Sequence, residues 1–230
     1  MVTNKRVALV FRLCSMVFAL LGILKQSGVF TGEFGFGGFM YYTLQSNLLA
    51  VVFFAFLSVR TWKSLRDGLR GSVGWHSRLG MVCAVDLLVT MIIFWTLLAR
   101  VVPRGYLWSF ENLAVHTITP LLCLLDYVFF SEPRRLKYRD VYYVCIFPLS
   151  YVVFSTIAGL MGYVYYFTSE FGDVSSSAAL SVPVKVPYFF LDYERLGILV
   201  VAFIAGTLVF FLLLSHIIFF IDQKLRKLSH

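Results

Sequence analysis

The sequence predicts an all-α, polytopic membrane protein of six transmembrane helices with both termini in the cytoplasm. Three observations predict it. Of 230 residues, 60% are hydrophobic and 14% charged, against about 25% charged in an average soluble domain. The mean hydropathy is +0.83, so the solvent facing most of the apolar surface must be lipid. The apolar residues also fall into six runs, each able to cross a core of about 30 Å at about 1.5 Å per residue. One domain over residues 1–230 accounts for all of them.

The runs cover 7–25, 42–60, 79–100, 111–131, 141–164 and 195–221. The first follows Lys5-Arg6, as a signal peptide would. Arg12 interrupts it and no small-x-small cleavage site follows, so a retained helix is expected. Segment 26–41 is rich in Gly and Phe and reads as a loop. Segment 165–194 carries three consecutive serines, Pro183 and Pro187. It is the longest connection, of a length that often carries function, and a lid is one role for it. No internal repeat is visible, so an inverted-repeat transporter gains no support.

The orientation follows from the cations. Loop 60–78 holds Arg60, Lys63, Arg66, Arg70 and Arg78, and loop 132–140 holds Arg134, Arg135, Lys137 and Arg139. With Lys5, Arg6, Lys224, Arg226 and Lys227 they make 14 on one side, against 5 on the other. The positive-inside rule places the richer side, and both termini, in the cytoplasm. An even number of spans agrees. A multi-pass protein of the plasma (inner) membrane is the expected setting. The net charge of +8 is thereby explained by orientation and anionic headgroups, with no nucleic acid needed as partner. Cys14, Cys83, Cys123 and Cys145 lie in or near apolar spans without metal-ligand spacing, and read as small hydrophobes.

Ionisable groups inside spans are costly, so each is a functional candidate. Arg12, Asp86 and Asp126 fall in the cytoplasmic halves of helices 1, 3 and 4, and His216 near the same end of helix 6. The plain reading is a buried ion network. Thr43, Ser46 and Asn47 of helix 2 fall in the outer leaflet. His116, Thr117, Thr119 and Pro120 of helix 4 share that depth, and Asp192 lies near the outer surface. A hydroxyl, an imidazole, an amide and a carboxylate together suit nucleophilic catalysis. His116 could take the Thr43 proton, Asn47 could donate to an oxyanion and Asp192 could orient the imidazole. The plain readings are a hydroxyl bonded to its own backbone, an Asn joining helices and a capping His.

The stretch Tyr42-Thr43-Leu44-Gln45-Ser46-Asn47-Leu48-Leu49 resembles the threonine-bearing helix of the androgen-induced and androgen-dependent membrane hydrolases. His116-Thr117-Ile118-Thr119-Pro120-Leu121-Leu122, continuing to Leu125-Asp126-Tyr127, resembles their histidine helix. Pro133-Arg134-Arg135, Pro148-Leu149-Ser150-Tyr151 and Pro187-Tyr188-Phe189-Phe190-Leu191-Asp192 resemble later landmarks in the same order. The Gln45-Ser46-Asn47 run is more like the bacterial branch than the animal enzymes. The resemblance implies a six-helix intramembrane hydrolase with Thr43 as nucleophile and His116 as its partner, acting on fatty acid esters of hydroxy fatty acids or similar lipid esters. It implies no metal or cofactor. Two other readings stay open: a transporter or channel using Arg12, Asp86, Asp126 and His216, and a lipid-binding protein without turnover.

Overall fold

The computed structural model describes residues 4–32, 34–69, 77–100, 102, 104–130, 136–168 and 181–227. Arg70, Pro133, Arg134, Arg135 and the middle of segment 165–194 lie outside the described residues. Among the described residues, six helices are long and apolar enough to cross a membrane: α1 (Lys5–Gln26), α2 (Tyr42–Arg66), α3 (Ser77–Leu98), α4 (Phe110–Phe130), α5 (Tyr138–Leu160) and α6 (Leu199–Lys224). The six expected runs are these helices, each displaced by a few residues at its ends. The chain is an all-α membrane protein.

Asn4 starts α1 by accepting the Arg6 and Val7 amides on its side chain, the ordinary way to satisfy a first turn. The expected loop 26–41 is partly ordered as two short 3-10 turns, Val29–Thr31 and Phe36–Met40. Left-handed Gly28 and Gly32 bracket the first of them. Segment 165–194 contributes a two-stranded antiparallel ladder, Tyr165–Thr168 with Ser181–Val184. It is followed by a 3-10 turn at Phe189–Leu191.

The apolar surface is distributed as lipid requires. Val10, Val17, Val52, Val153, Ile157 and Val209 are exposed on the bundle's outside. The interior holds clusters such as Phe53, Phe54, Leu57 and Leu87 between α2 and α3, and Met81, Val85, Val89 and Phe211 between α3 and α6. All four cysteines are free. Cys83 and Cys123 bring their sulfurs to 3.2 Å in the first of these clusters.

The expected network of Arg12, Asp86 and Asp126 is corrected by the structure. Arg12 and Asp126 do pair, with Nε to Oδ1 at 2.7 Å and Nη2 to Oδ2 at 3.4 Å. Arg12 also donates to Thr61 at 2.7 Å, and Thr61 donates onward to the Leu57 carbonyl. One cation thus ties α1, α2 and α4 together. Asp86 is not part of it. It faces the Tyr42 hydroxyl, and neither of its oxygens makes a well-formed hydrogen bond among the described residues. His216 is separate again, turned to the Leu212 carbonyl and the Tyr138 hydroxyl. The three sites divide because packing turns each polar residue toward a different neighbour. Nothing in the depth of a residue reports that.

Both partners of the Arg12–Asp126 pair are at most 2% exposed on their side chains. Removing one leaves the other charge buried alone, which costs about 3–5 kcal/mol, whereas replacing both by apolar residues costs far less. Thermal unfolding in detergent should therefore show a large loss for Arg12→Met and a substantial recovery in Arg12→Met with Asp126→Leu.

Candidate functional site

Proline 120 sets the local backbone of α4. It has no N–H to donate and its ring crowds the preceding turn. The helix answers by widening into a π-turn at Ala114–Ile118, where the Thr119 amide reaches back to the Ala114 carbonyl. Thr119 thereby passes over the Val115 carbonyl, and Pro120 cannot serve it in its place. That carbonyl needs a donor from outside the helix, since unpaired backbone groups are costly in a lipid-enclosed core. Asn47 of α2 supplies it. Its Nδ2 donates to Val115 O at 3.0 Å and to Thr43 O at 2.8 Å.

This bridge brings Thr43 to His116. Their Oγ1 and Nε2 atoms are 3.2 Å apart, with residue exposures of 8% and 6%. The other ring nitrogen, Nδ1, lies 3.3 Å from the Asn112 carbonyl. A carbonyl only accepts, so Nδ1 carries the proton and Nε2 presents its lone pair to the Thr43 hydroxyl. The imidazole is held flat by Phe94, with ring centroids 3.8 Å apart and an interplanar angle of 19°. Phe94 itself opens a second π-turn, Phe94–Leu98 in α3. The next residue, Trp95, donates to Thr117 at 2.9 Å. Widened turns in α3 and α4 thus meet around the histidine, a placement common at functional sites.

Thr43 looks into a cavity with about 710 Å³ of empty space, counting its open mouth. Its polar edge is Tyr42, Thr43, Thr90, Tyr151 and Tyr188. Its apolar walls come from α5 (Pro148, Leu149, Val152) and α6 (Ile204, Leu208, Phe211). The Tyr151 hydroxyl is spent on the Met40 carbonyl at 3.1 Å. His116 stands behind Thr43, outside the cavity lining. The arrangement is a weak nucleophile open to an apolar space and backed by a correctly polarised base.

Two expected supporting roles are corrected. Both amide hydrogens of Asn47 are taken by backbone carbonyls, so Asn47 joins helices and has no donor left for an oxyanion. Asp192 does not orient His116. Its Oδ1 caps the short helix Tyr193–Leu196 by accepting the Arg195 amide at 3.0 Å, and the Asn112 carbonyl has the orienting place. Ser46 donates to the Thr43 carbonyl and lies 3.4 Å from Thr90 Oγ1, which is the plain reading of a helix serine. Sequence reasoning missed Phe94, Asn112 and Tyr188 as parts of the site. Tyr188 stands within a quoted landmark, whereas nothing in sequence marks Phe94.

Compared with known proteins, the chain matches no family model, no curated protein and no solved structure.

Removing the Asn47 amide leaves the Val115 carbonyl without its partner, at a cost of about 1–3 kcal/mol. Asn47→Leu should lower the unfolding midpoint accordingly. Asp192→Asn should leave it nearly unchanged, because Asn and Asp cap helices equally well. A midpoint unmoved by Asn47→Leu would show that the bridge is not holding α2 to α4.

Proposed function

We propose that this chain is an intramembrane lipid-ester hydrolase with Thr43 as nucleophile and His116 as general base. The observation that carries the reading is the 3.2 Å contact between the Thr43 hydroxyl and the unprotonated nitrogen of His116, at the wall of an apolar cavity. The resemblance of the Thr43 and His116 segments to the androgen-induced and androgen-dependent hydrolases points the same way. It also names fatty acid esters of hydroxy fatty acids as the substrate class.

The chemistry runs in two acyl transfers. Thr43 Oγ attacks the ester carbonyl carbon as its proton passes to His116 Nε2. The tetrahedral intermediate collapses, and His116 returns the proton to the departing alkoxide, leaving an acyl-threonine. Water then attacks the acyl carbon, with its proton taken by His116. The Thr43 oxygen leaves and recovers that proton, and the fatty acid is released. The α5 and α6 side of the cavity suits the acyl chain, because it offers hydrocarbon to hydrocarbon. With both termini in the cytoplasm of a plasma (inner) membrane, as the Lys and Arg distribution favours, Thr43 faces the outer leaflet and draws its substrate from it.

The test is hydrolysis of a lipid-ester panel, including fatty acid esters of hydroxy fatty acids, by the purified wild type, Thr43→Ala and His116→Ala. All three should be monodisperse in detergent. Thr43→Ala should abolish turnover, and His116→Ala should lower it by about 10²–10⁴-fold, the usual worth of a positioned base. Turnover that survives Thr43→Ala sinks the threonine mechanism. Bound lipid with no turnover by wild type favours a lipid-binding protein. Ion or solute flux in proteoliposomes that is lost in Asp86→Asn and kept in Thr43→Ala favours a transporter.

A further inference from the structure

Acyl transfer to Thr43 develops negative charge on the ester carbonyl oxygen, and a buried site has to meet that charge with preorganised donors. Asn47 cannot do so. The polar atoms that remain beside Thr43 are few, and one of them is the Tyr188 hydroxyl, which carries a proton.

Tyr188 sits on the segment between the β-ladder and α6 and shares the cavity wall with Thr43. Its hydroxyl oxygen accepts the Tyr42 amide at 3.2 Å. A phenol oxygen that accepts this amide still carries its own proton, which it can donate toward the Thr43 side of the cavity. The side-chain neighbours of the hydroxyl are Thr43 and Tyr151, and the Tyr151 proton already goes to Met40. The ring cannot swing freely. It stacks on Phe190 at 5.2 Å with an interplanar angle of 2°, and meets Tyr41 edge-on at 6.2 Å. Burial pushes the phenol up to about 12, so it keeps its proton at any ordinary pH.

The start of α2 adds to this. Thr43 is the second residue of a 25-residue helix whose cap residue, Tyr41, supplies no side-chain acceptor. The first-turn amides of a helix have no partner within it, and they place partial positive charge at that end.

We infer that Tyr188 is a catalytic residue that donates its hydroxyl hydrogen bond to the ester carbonyl oxygen, together with the remaining first-turn amides of α2, those of Thr43 and Leu44, during acyl transfer from a lipid ester to Thr43 and then to water. The assignment rests on the hydrolase reading above. No proton is transferred in this role. The phenol holds the oxyanion while the tetrahedral intermediate exists and releases it when the carbonyl re-forms. The donors and the nucleophile then come from two pieces of chain, α2 and the 185–191 segment, clamped together by the bond from Tyr42 to Tyr188.

The experiment compares the purified wild type with Tyr188→Phe, on a lipid ester that wild type hydrolyses and on its thionoester. Sulfur accepts hydrogen bonds poorly, so an oxyanion donor favours the ester over the thionoester. Tyr188→Phe should lower kcat on the ester by about 10²–10³-fold, as loss of one such donor does. KM should stay within about threefold, the mark of an interaction made only in the transition state. The preference for ester over thionoester should shrink. Loss of kcat with that preference unchanged would make Tyr188 a structural residue and overturn the inference. Full kcat in Tyr188→Phe would overturn it too, while leaving Thr43 and His116 intact as the pair. Wild type that turns over no ester overturns both readings together. If Tyr188→Phe does not fold, 3-fluorotyrosine at position 188 keeps the hydroxyl and strengthens it as a donor. The ester preference should then grow, and an unchanged preference overturns the inference.

Discussion

Lipid gives a buried backbone carbonyl no water to turn to, and the Val115 carbonyl is where that constraint shapes this protein. Pro120 cannot bond to the preceding turn, the turn widens, and Val115 is left without an intrahelical donor. Asn47 fills the gap from α2 while holding the Thr43 carbonyl with its other hydrogen. The register between α2 and α4 follows, and with it the meeting of Thr43 and His116. A residue that first reads as a participant in chemistry is the one that holds Thr43 beside His116.

The polar residues of the bundle divide into parts with different tasks. Arg12, Asp126 and Thr61 form a set in which charge meets charge and the Thr61 hydroxyl has an acceptor. Such a set fixes the register of α1, α2 and α4. The Thr43 and His116 layer is instead polarised toward a cavity, with a lone pair on one side and an apolar space on the other.

The aromatic residues add a second organising element. Tyr41, Tyr42, Tyr151, Tyr188 and Phe190 pack against one another through edge, tilted and stacked contacts beside the cavity. In a membrane protein such residues often serve only as an interfacial belt. Here they also deliver hydroxyls to the α2 N-terminus, through Tyr188 on the Tyr42 amide and Tyr151 on the Met40 carbonyl. The segment between the β-ladder and α6 therefore belongs to the cavity wall.

By itself the sequence determined the membrane class, the six spans to within a few residues, and the depths of Thr43 and His116. Those properties are local: they depend on how many apolar residues run together and how far along a helix a residue stands. The pairing of Arg12 with Asp126 was within reach for the same reason. Rotation about each helix axis was not, because it is set by packing between segments far apart in the chain. Tertiary structure alone separated Asp86 and His216 from the ion pair, spent the Asn47 amide on Val115, and sent Asp192 to cap a short helix. It also put the Asn112 carbonyl behind His116 and Phe94 on its face. A hydrogen bond requires both depth and direction. Sequence fixes depth by counting, and direction exists only once the helices have packed.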